Sequence, residues 1–387
     1  MPEREWIGAE DACERLGVRP QTLYAYVSRN PVRVRQDPDN PRRSLYHATD
    51  IAALAARRSR SRRTADVAAE AIDWGEPVLE SAITTVAFGR LFYRGRDAIK
   101  LAETETLESV ARLLRGGHGV ALKRAERPAP PVGADMRSRA YLVLALRAAA
   151  DPPARGRGHL SLAVEAATLL DVLVDAVTGA VESGPIHVRL ALAWGQGPGG
   201  QAADLIRRLL VLVADHELNP SAFAARVAAS TGASLSASAL AGLATLSGPR
   251  HGGASASVSA FIEEADRLGP PEAVRRRLQD DRALPGFGHN LYPGGDPRAA
   301  ALLERFTLPD LPGDLAEAVF AATGLRPNID FALVAACQAM RLPEDAPFQI
   351  FTVARCAGWI AHAIEQGEAD KIIRPRARYS GPALSLE

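Results

Sequence analysis

After residue 63, apolar side chains recur three and four positions apart, the spacing that gathers them on one face of an α-helix. The segments TLESVARLLRGG, RAYLVLALRAAA, QAADLIRRLLVLVADHEL and PFQIFTVARCAGWIAHAIEQ all carry it. Alternation of apolar and polar residues is rare there, and VAFGRLFYRG is the clearest strand candidate. Two Pro-rich stretches, residues 124–135 and 150–160, read as loops, and no unit repeats along the chain. The expected body is mainly α, with short β punctuation.

The first 63 residues have another pattern. GAEDACERLGV and RPQTLYAYVSRN are two short helical segments joined at Gly17. PVRVRQDPDNPRRSLYHATD places two strand-like pieces around a Pro/Asp/Asn turn, and ATDIAALAARRSRSRR opens on Thr49-Asp50 and ends in arginines. Charge separates this head from the rest. Residues 1–63 hold 13 Arg, no Lys and 8 acidic residues, a net of +5, whereas the remainder carries −4. Only the head is therefore a candidate for a polyanionic partner. It resembles the MerR-type winged helix-turn-helix over about 60 residues. That resemblance implies DNA binding through Arg19, Thr22, Tyr26 and Arg29 on a recognition helix and Arg42 and Arg43 on a wing. An arginine-rich protein-interaction module fits the same residues.

A chain of 387 residues is long enough for two or three domains. Three cysteines, Cys13, Cys337 and Cys356, in no paired spacing argue against a disulfide framework and a zinc site. MPEREWIGAED lacks the apolar core of a signal peptide, and the longest apolar run is broken by Glu165, Asp171 and Asp175. A cytoplasmic protein with no membrane partner is expected.

Candidate chemistry begins with what the glycines permit. Gly195, Gly197 and Gly200 of WGQGPGG satisfy a dinucleotide-binding spacing, but no alternation of strand and helix follows, so a helix–helix loop is expected. SGPRHGGASASV sets His251 between a Gly-Pro turn and a Gly-Gly pair, just before a helical pattern. A ligand can approach the backbone closely there, although a plain turn residue would look the same. Three further patches hold titratable groups: ADHELNPS with His216, LPGFGHNLYPGGDPRAA with His289 and Arg298, and RPNIDF with Asp330. Singly, each also reads as a loop histidine, a surface ion pair or a helix cap.

Taken in order, these patches resemble the signatures of the citrate synthase family. The likeness continues in FTVARCAGWIAHAIEQ and KIIRPRARYSGP and begins in GRLFYRGRDAIKLAETETLESVARLL, covering about residues 73 to 383. The resemblance implies a large helical domain (64–252 and 342–387), a small closing domain (253–341) and a homodimer. It implies condensation of acetyl-CoA with oxaloacetate to citrate and CoA, the entry step of the tricarboxylic acid cycle, with no cofactor and no metal. It makes Asp330 the base, His251 a neutral hydrogen-bond donor to the thioester oxygen and His289 the group that polarises the ketone. His216, Asn219, Arg298, Arg355 and a partner-supplied Arg374 would bind oxaloacetate; His362 is expected to be a packed core histidine. Departures are Pro293 where the family often has a basic residue, Asn290 in place of a frequent Arg or Ala, and NIDFALV, which lacks the small Ser-Gly pair that often follows the Asp. A 2-methylcitrate synthase using propionyl-CoA, or a DNA-binding regulator sensing metabolites through a synthase body, are the alternatives.

Overall fold

The computed structural model describes residues 6–16, 23, 32–38, 40–55, 79–117, 127, 129–130, 135–377 and 379–382. The chain parts into two compact units, Met1–Glu80 and Ser81–Glu387. The boundary expected at residue 63 lies outside the described residues.

In the first unit, β1 (Trp6–Ile7), β3 (Asn40–His47) and β2 (Val34–Asp37) pair antiparallel in that spatial order. Helix α1 (Ala9–Leu16) turns Ala12 and Leu16 inward and sets Glu10 and Asp11 in its first turn, where the helix dipole favours negative charge. A small core of Ile7, Ala12, Leu16, Leu23, Tyr46, Ala48 and Ile51 results. Arg33 grips Asp50 through Nε and Nη2, both at 2.9 Å, and so ties the helical residues 48–55 to the hairpin. The two strands expected around the Pro/Asp/Asn turn are thus a hairpin. Arg19, Thr22, Tyr26, Arg29 and the Arg42 side chain lie outside the described residues; Arg43 is exposed on β3.

The second unit opens on a β4–β5–β6 meander (Thr84–Ala87, Arg90–Tyr93, Arg96–Asp97) and continues almost wholly as helices. Several starts are capped by side chains that the sequence supplies at the right place. Asp97, Thr106, Asp135, Asn219, Ser234, Asp296 and Asn328 each accept a backbone N–H of the first turn. The WGQGPGG stretch is a connection between α6 (Ile186–Ala193) and α7 (Gln201–Leu212), with no strand before it. In order, the helices between are α2 (Ala98–Thr104), α3 (Leu107–Leu114), α4 (Met136–Ala150) and α5 (His159–Thr178).

After α7 come α8 (Pro220–Ser230), α9 (Leu235–Leu246), α10 (Ala254–Leu268), α11 (Pro270–Gln279), α12 (Pro297–Leu303) and α13 (Asp310–Thr323). The last two are α14 (Ile329–Ala339) and α15 (Ala346–Ala369). Helix α15 is buried on every face along most of its length, so its polar side chains must find partners inside the protein.

Two hydrophobic cores share one helix. The larger runs from Ile83 to Ile364 around α15; the smaller joins Val258, Phe261, Phe287, Leu315, Val319 and Phe331. Helix α14 sends Ile329, Ala332, Leu333 and Ala336 into the first and Phe331, Val334 and Ala335 into the second. Asp330 sits at the seam between them. Phe331 packs its ring 5.0 Å from that of Phe287, so the bulk that follows Asp330 fills the small core.

Close helix contacts impose glycines. A Cβ on Gly242 of α9 would come within 2.5 Å of the Trp359 ring on α15. Gly242→Ala should lower the thermal midpoint, because overpacking of about 1–3 kcal/mol exceeds the ~1 kcal/mol helix-propensity gain. A midpoint at or above wild type in a melting experiment would contradict this packing.

Candidate active site

The site is assembled from four loops. The first leaves α7 and enters α8 through Asp215-His216-Glu217-Leu218-Asn219. Tyr93 on β5 fixes it, its hydroxyl lying 3.0 Å from Val211 O and 3.2 Å from Asp215 O. Thr84 donates to Asp215 Oδ2, and the Val86 N–H donates to Glu217. Glu217 holds φ at 51°, an uncommon state for a residue with a Cβ, which the flanking contacts maintain. Asn219 caps α8 with Oδ1 and donates Nδ2 to the carbonyls of His216 and Glu217. Its amide is therefore engaged at both ends by the loop that carries His216.

The second and third loops pair with each other. Asn328 N–H donates to Gly286 O at 2.8 Å, and Gly288 N–H donates to Arg326 O at 2.9 Å. Gly286 has φ +86°, and a Cβ there would stand 2.9 Å from Phe331 Cβ; only glycine permits this approach. His289 is thereby brought beside His216, ring centroids 5.3 Å apart, with Tyr292 4.8 Å from His289. Tyr292 completes the group through a 2.9 Å hydrogen bond between its hydroxyl and His216 Nε2. The Leu291 N–H donates to His289 Nδ1, so neutral His289 carries its proton on Nε2. Burial pulls the pKa values of His216 and His289 down, and the Arg298 charge adds to it.

Arg298 is buried and pairs with Asp296 through Nε (3.0 Å) and Nη2 (2.7 Å). Asp296 Oδ2 also accepts the Ile329 N–H, which pins the start of α14 and so places Asp330. The Asp330 carboxyl makes no hydrogen bond with the described residues. Burial pushes its pKa up to about 6, although the charges of Arg298 and Arg355 oppose the rise. Arg355 on α15 is 2% exposed; its Nε donates to Val213 O at 3.0 Å, and its Nη1 is buried without a partner.

His251 lies in the fourth loop, between α9 and α10. Burial first, then the Arg355 charge, hold its pKa down to about 3, so its ring is neutral at ordinary pH. Neutrality thus comes from desolvation and a neighbouring cation; α10 starts three residues later. Ser221 Oγ donates to Asn219 Oδ1 at 2.7 Å, accepts from Trp359 Nε1 at 3.0 Å, and lies 2.8 Å from His251 Nε2. With its one proton on Asn219, the hydroxyl accepts from His251 Nε2. Turning the hydroxyl onto His251 Nε2 would move the imidazole proton to Nδ1, where the ring can donate to a ligand.

The structure therefore brings His216, His289, Arg298, Arg355, Asp330 and His251 into one electrostatic neighbourhood. The Arg355 charge acts on His216, His251 and Asp330, and that of Arg298 on His216, His289 and Asp330. Arg374 is exposed on the segment after α15 and bonds to none of these groups. Tyr292, Ser221, Asp296 and Asp215 belong to the same constellation but were not singled out in the sequence. Each stands within five residues of a residue that was, and its role comes from contacts across the fold. No cluster of three or more metal-ligating side chains occurs among the described residues.

A family model described as "Citrate synthase, C-terminal domain" matches residues 72–376. A citrate synthase of Haloferax volcanii is 38% identical over 199 residues, 48% of this chain and 52% of that protein. 2-Methylcitrate synthase 2 of Corynebacterium glutamicum is 32% identical over 208 residues, 50% of this chain and 54% of its own length. The chain thus spans about half the length of the curated relatives it matches. The crystal structure of citrate synthase from Thermotoga maritima superposes with a TM-score of 0.63 at 25% identity, over 81% of this chain and 96% of that one. With the family match extending over most of its length and the helical architecture in agreement, the chain belongs to the citrate synthase family.

Proposed function

We propose that this chain condenses an acyl-CoA with oxaloacetate, acetyl-CoA giving citrate and CoA. One observation carries the reading: Asp330, a carboxyl raised to about 6 that makes no hydrogen bond with the described residues, stands in the field of Arg298 and Arg355 beside neutral histidines. A thioester methyl is a weak carbon acid, and a carboxylate can deprotonate it only where the developing enolate charge is stabilised. Asp330 takes that proton while His251, donating from Nδ1, bonds to the thioester oxygen. The new carbanionic carbon attacks the ketone carbon, and His289 gives its Nε2 proton to the ketone oxygen. Water then hydrolyses the thioester and CoA leaves.

Two carboxylates of oxaloacetate require cations, and planar guanidinium groups suit them. Arg355 supports this assignment because its Nη1 is a buried donor with no acceptor among the described residues. Arg298 keeps one face on Asp296 and offers the remainder, and His216 lines the same pocket. Asn219 acts by orienting His216. Arg374 comes from the second subunit of a homodimer, a reading supported by Leu142 and Leu146 of α4, one turn apart and 45% and 64% exposed. The reaction needs neither metal nor cofactor. The 64–252/342–387 and 253–341 division is kept as a proposal for the large and small domains, supported by the two cores that meet on α14. We place the protein in the cytoplasm; among the described residues no helix is long and apolar enough to cross a membrane.

Propionyl-CoA in the same site would give 2-methylcitrate, and a methylene is worth only about 1–3 kcal/mol of discrimination. CoA release with each acyl-CoA decides between them. A second reading concerns the head: the β2–β3 hairpin with exposed Arg43 favours a wing that contacts DNA, and Arg19, Thr22, Tyr26, Arg29 and Arg42 are the further residues proposed for that contact.

Asp330→Asn should reduce CoA release by on the order of 10²–10⁴ while oxaloacetate still binds. An Asp whose folded-state value lies above its ordinary one penalises folding wherever it is ionised, so the same variant should melt no lower than wild type at pH 8. Because the base works ionised, wild-type kcat/KM should fall about tenfold per pH unit below about 6. Undiminished turnover in Asp330→Asn, or a profile flat from pH 5 to 7, removes Asp330 from this role.

Arg374→Ala should weaken oxaloacetate more than acyl-CoA. Heterodimers of Arg374→Ala with Asp330→Asn subunits should regain activity, since one complete site forms; inactive heterodimers of demonstrated composition would place Arg374 in its own chain's site or in none. For the head, the full-length protein should retard duplex DNA at low salt and release it steeply as salt rises. Charge reversal at Arg42 and Arg43 in the full chain should weaken that retardation, and equal binding by the reversed and wild-type proteins would exclude the wing.

A further inference from the structure

Behind the site, buried polar groups from three elements form a continuous chain. Arg226 Nη1 donates to Glu365 Oε2 at 2.7 Å and to His362 Nδ1 at 3.1 Å, and His362 Nε2 lies 3.2 Å from Asp215 Oδ2. Arg226, His362 and Asp215 are 2%, 0% and 0% exposed. A guanidinium can only donate, so His362 Nδ1 is the acceptor and the imidazole proton stands on Nε2, aimed at the carboxylate. Thr84 donates to the same Asp215 oxygen. No step of the proposed reaction uses any of these groups, and Asp215 Oδ1 is buried without a hydrogen-bond partner among the described residues.

The far end of the chain touches the site. Asp215 directly precedes His216, and α15 presses against it: a Cβ on Gly358 would come within 2.5 Å of Asp215 Oδ1. Burial pushes the Asp215 carboxyl up, but the His362 ring and the Arg355 charge more than offset this and hold it below its ordinary value. In turn, burial pulls the Arg355 guanidinium down, and the Asp215 charge is the largest influence opposing it. An isolated buried guanidinium is costly, and among the described residues Arg355 has one hydrogen bond of its own, to Val213 O.

We propose that His362 is a positioning residue for the keto-acid end of the site. Its Nε2–H, fixed by Arg226, holds the Asp215 carboxylate in place as the buried counter-charge of Arg355, leaving Arg355 Nη1 open to a substrate carboxylate. The proposal rests on reading the site as one for oxaloacetate, and it adds a residue that touches neither substrate.

The test compares full-length wild type with His362→Leu, His362→Gln and Thr84→Val. Oxaloacetate binding is measured by calorimetry, and KM is measured for oxaloacetate and acetyl-CoA separately. His362→Leu should raise the oxaloacetate Kd and KM about tenfold or more and leave the acetyl-CoA KM within about twofold. His362→Gln keeps an N–H donor of similar reach and should recover most of the loss. Thr84→Val removes the other donor to Asp215 from a different element at constant shape. It should weaken oxaloacetate selectively too, so a His362→Leu that fails to fold leaves the proposal exposed to test. A loss shared equally by both substrates, or one that His362→Gln does not recover, marks a packing role and overturns the proposal, as do variants that bind like wild type. Wild type that neither binds oxaloacetate nor releases CoA overturns the oxaloacetate reading itself, and the positioning role with it.

Discussion

Two guanidinium groups with about 2% of their surface in contact with solvent govern the electrostatics of this protein. Arg298 and Arg355 carry charge into an interior where a lone cation would be very costly, and much around them answers to that. Asp296 takes two N–H groups of Arg298, and Asp215 balances Arg355 from a neighbouring loop. The histidines stay neutral because burial and these cations both disfavour a further positive charge. Asp330 is held between opposing influences: burial raises its carboxyl, the guanidinium groups lower it, and the balance falls at about 6. A base poised near neutrality beside neutral donors follows from where the arginines are buried.

Positioning these groups requires backbone approaches that ordinary residues would block. Gly286 admits Phe331, Gly358 admits Asp215, and Gly242 admits Trp359. Each lies where a helix or loop meets the element bearing a site residue. Helix α14 adds a different constraint. Its alternate faces belong to two hydrophobic cores, so any motion of the smaller core about the larger would pass through the helix that begins with Asp330. Closure of one core over the other is thereby geometrically linked to the placement of the carboxylate.

Sequence alone determined the elements and the residue types of the site. The three-and-four spacing marks helices such as α7 and α15, Asp, Asn, Ser and Thr mark many of their starts, and the alternation in VAFGRLFYRG marks the β4–β5 hairpin. His216, His251, His289, Arg298, Asp330 and Arg355 stood out because the patches that hold them resemble, in order, the signatures of the citrate synthase family; singly, each reads as a loop histidine, an ion pair or a cap. Local pattern reaches this far because helix faces and caps are set by neighbours within one or two turns.

Tertiary structure decided the rest. The neutrality of His251 is a product of burial and of Arg355, which lies more than a hundred residues away. Phe331 directly follows Asp330, and the helical turn carries its ring into the second core. Asn219, named from the resemblance as a substrate-binding residue, also clamps the His216 loop. Asp215, Tyr292 and the His362 chain carried no local signal, because desolvation and hydrogen-bond partnership depend on which segments the fold buries together.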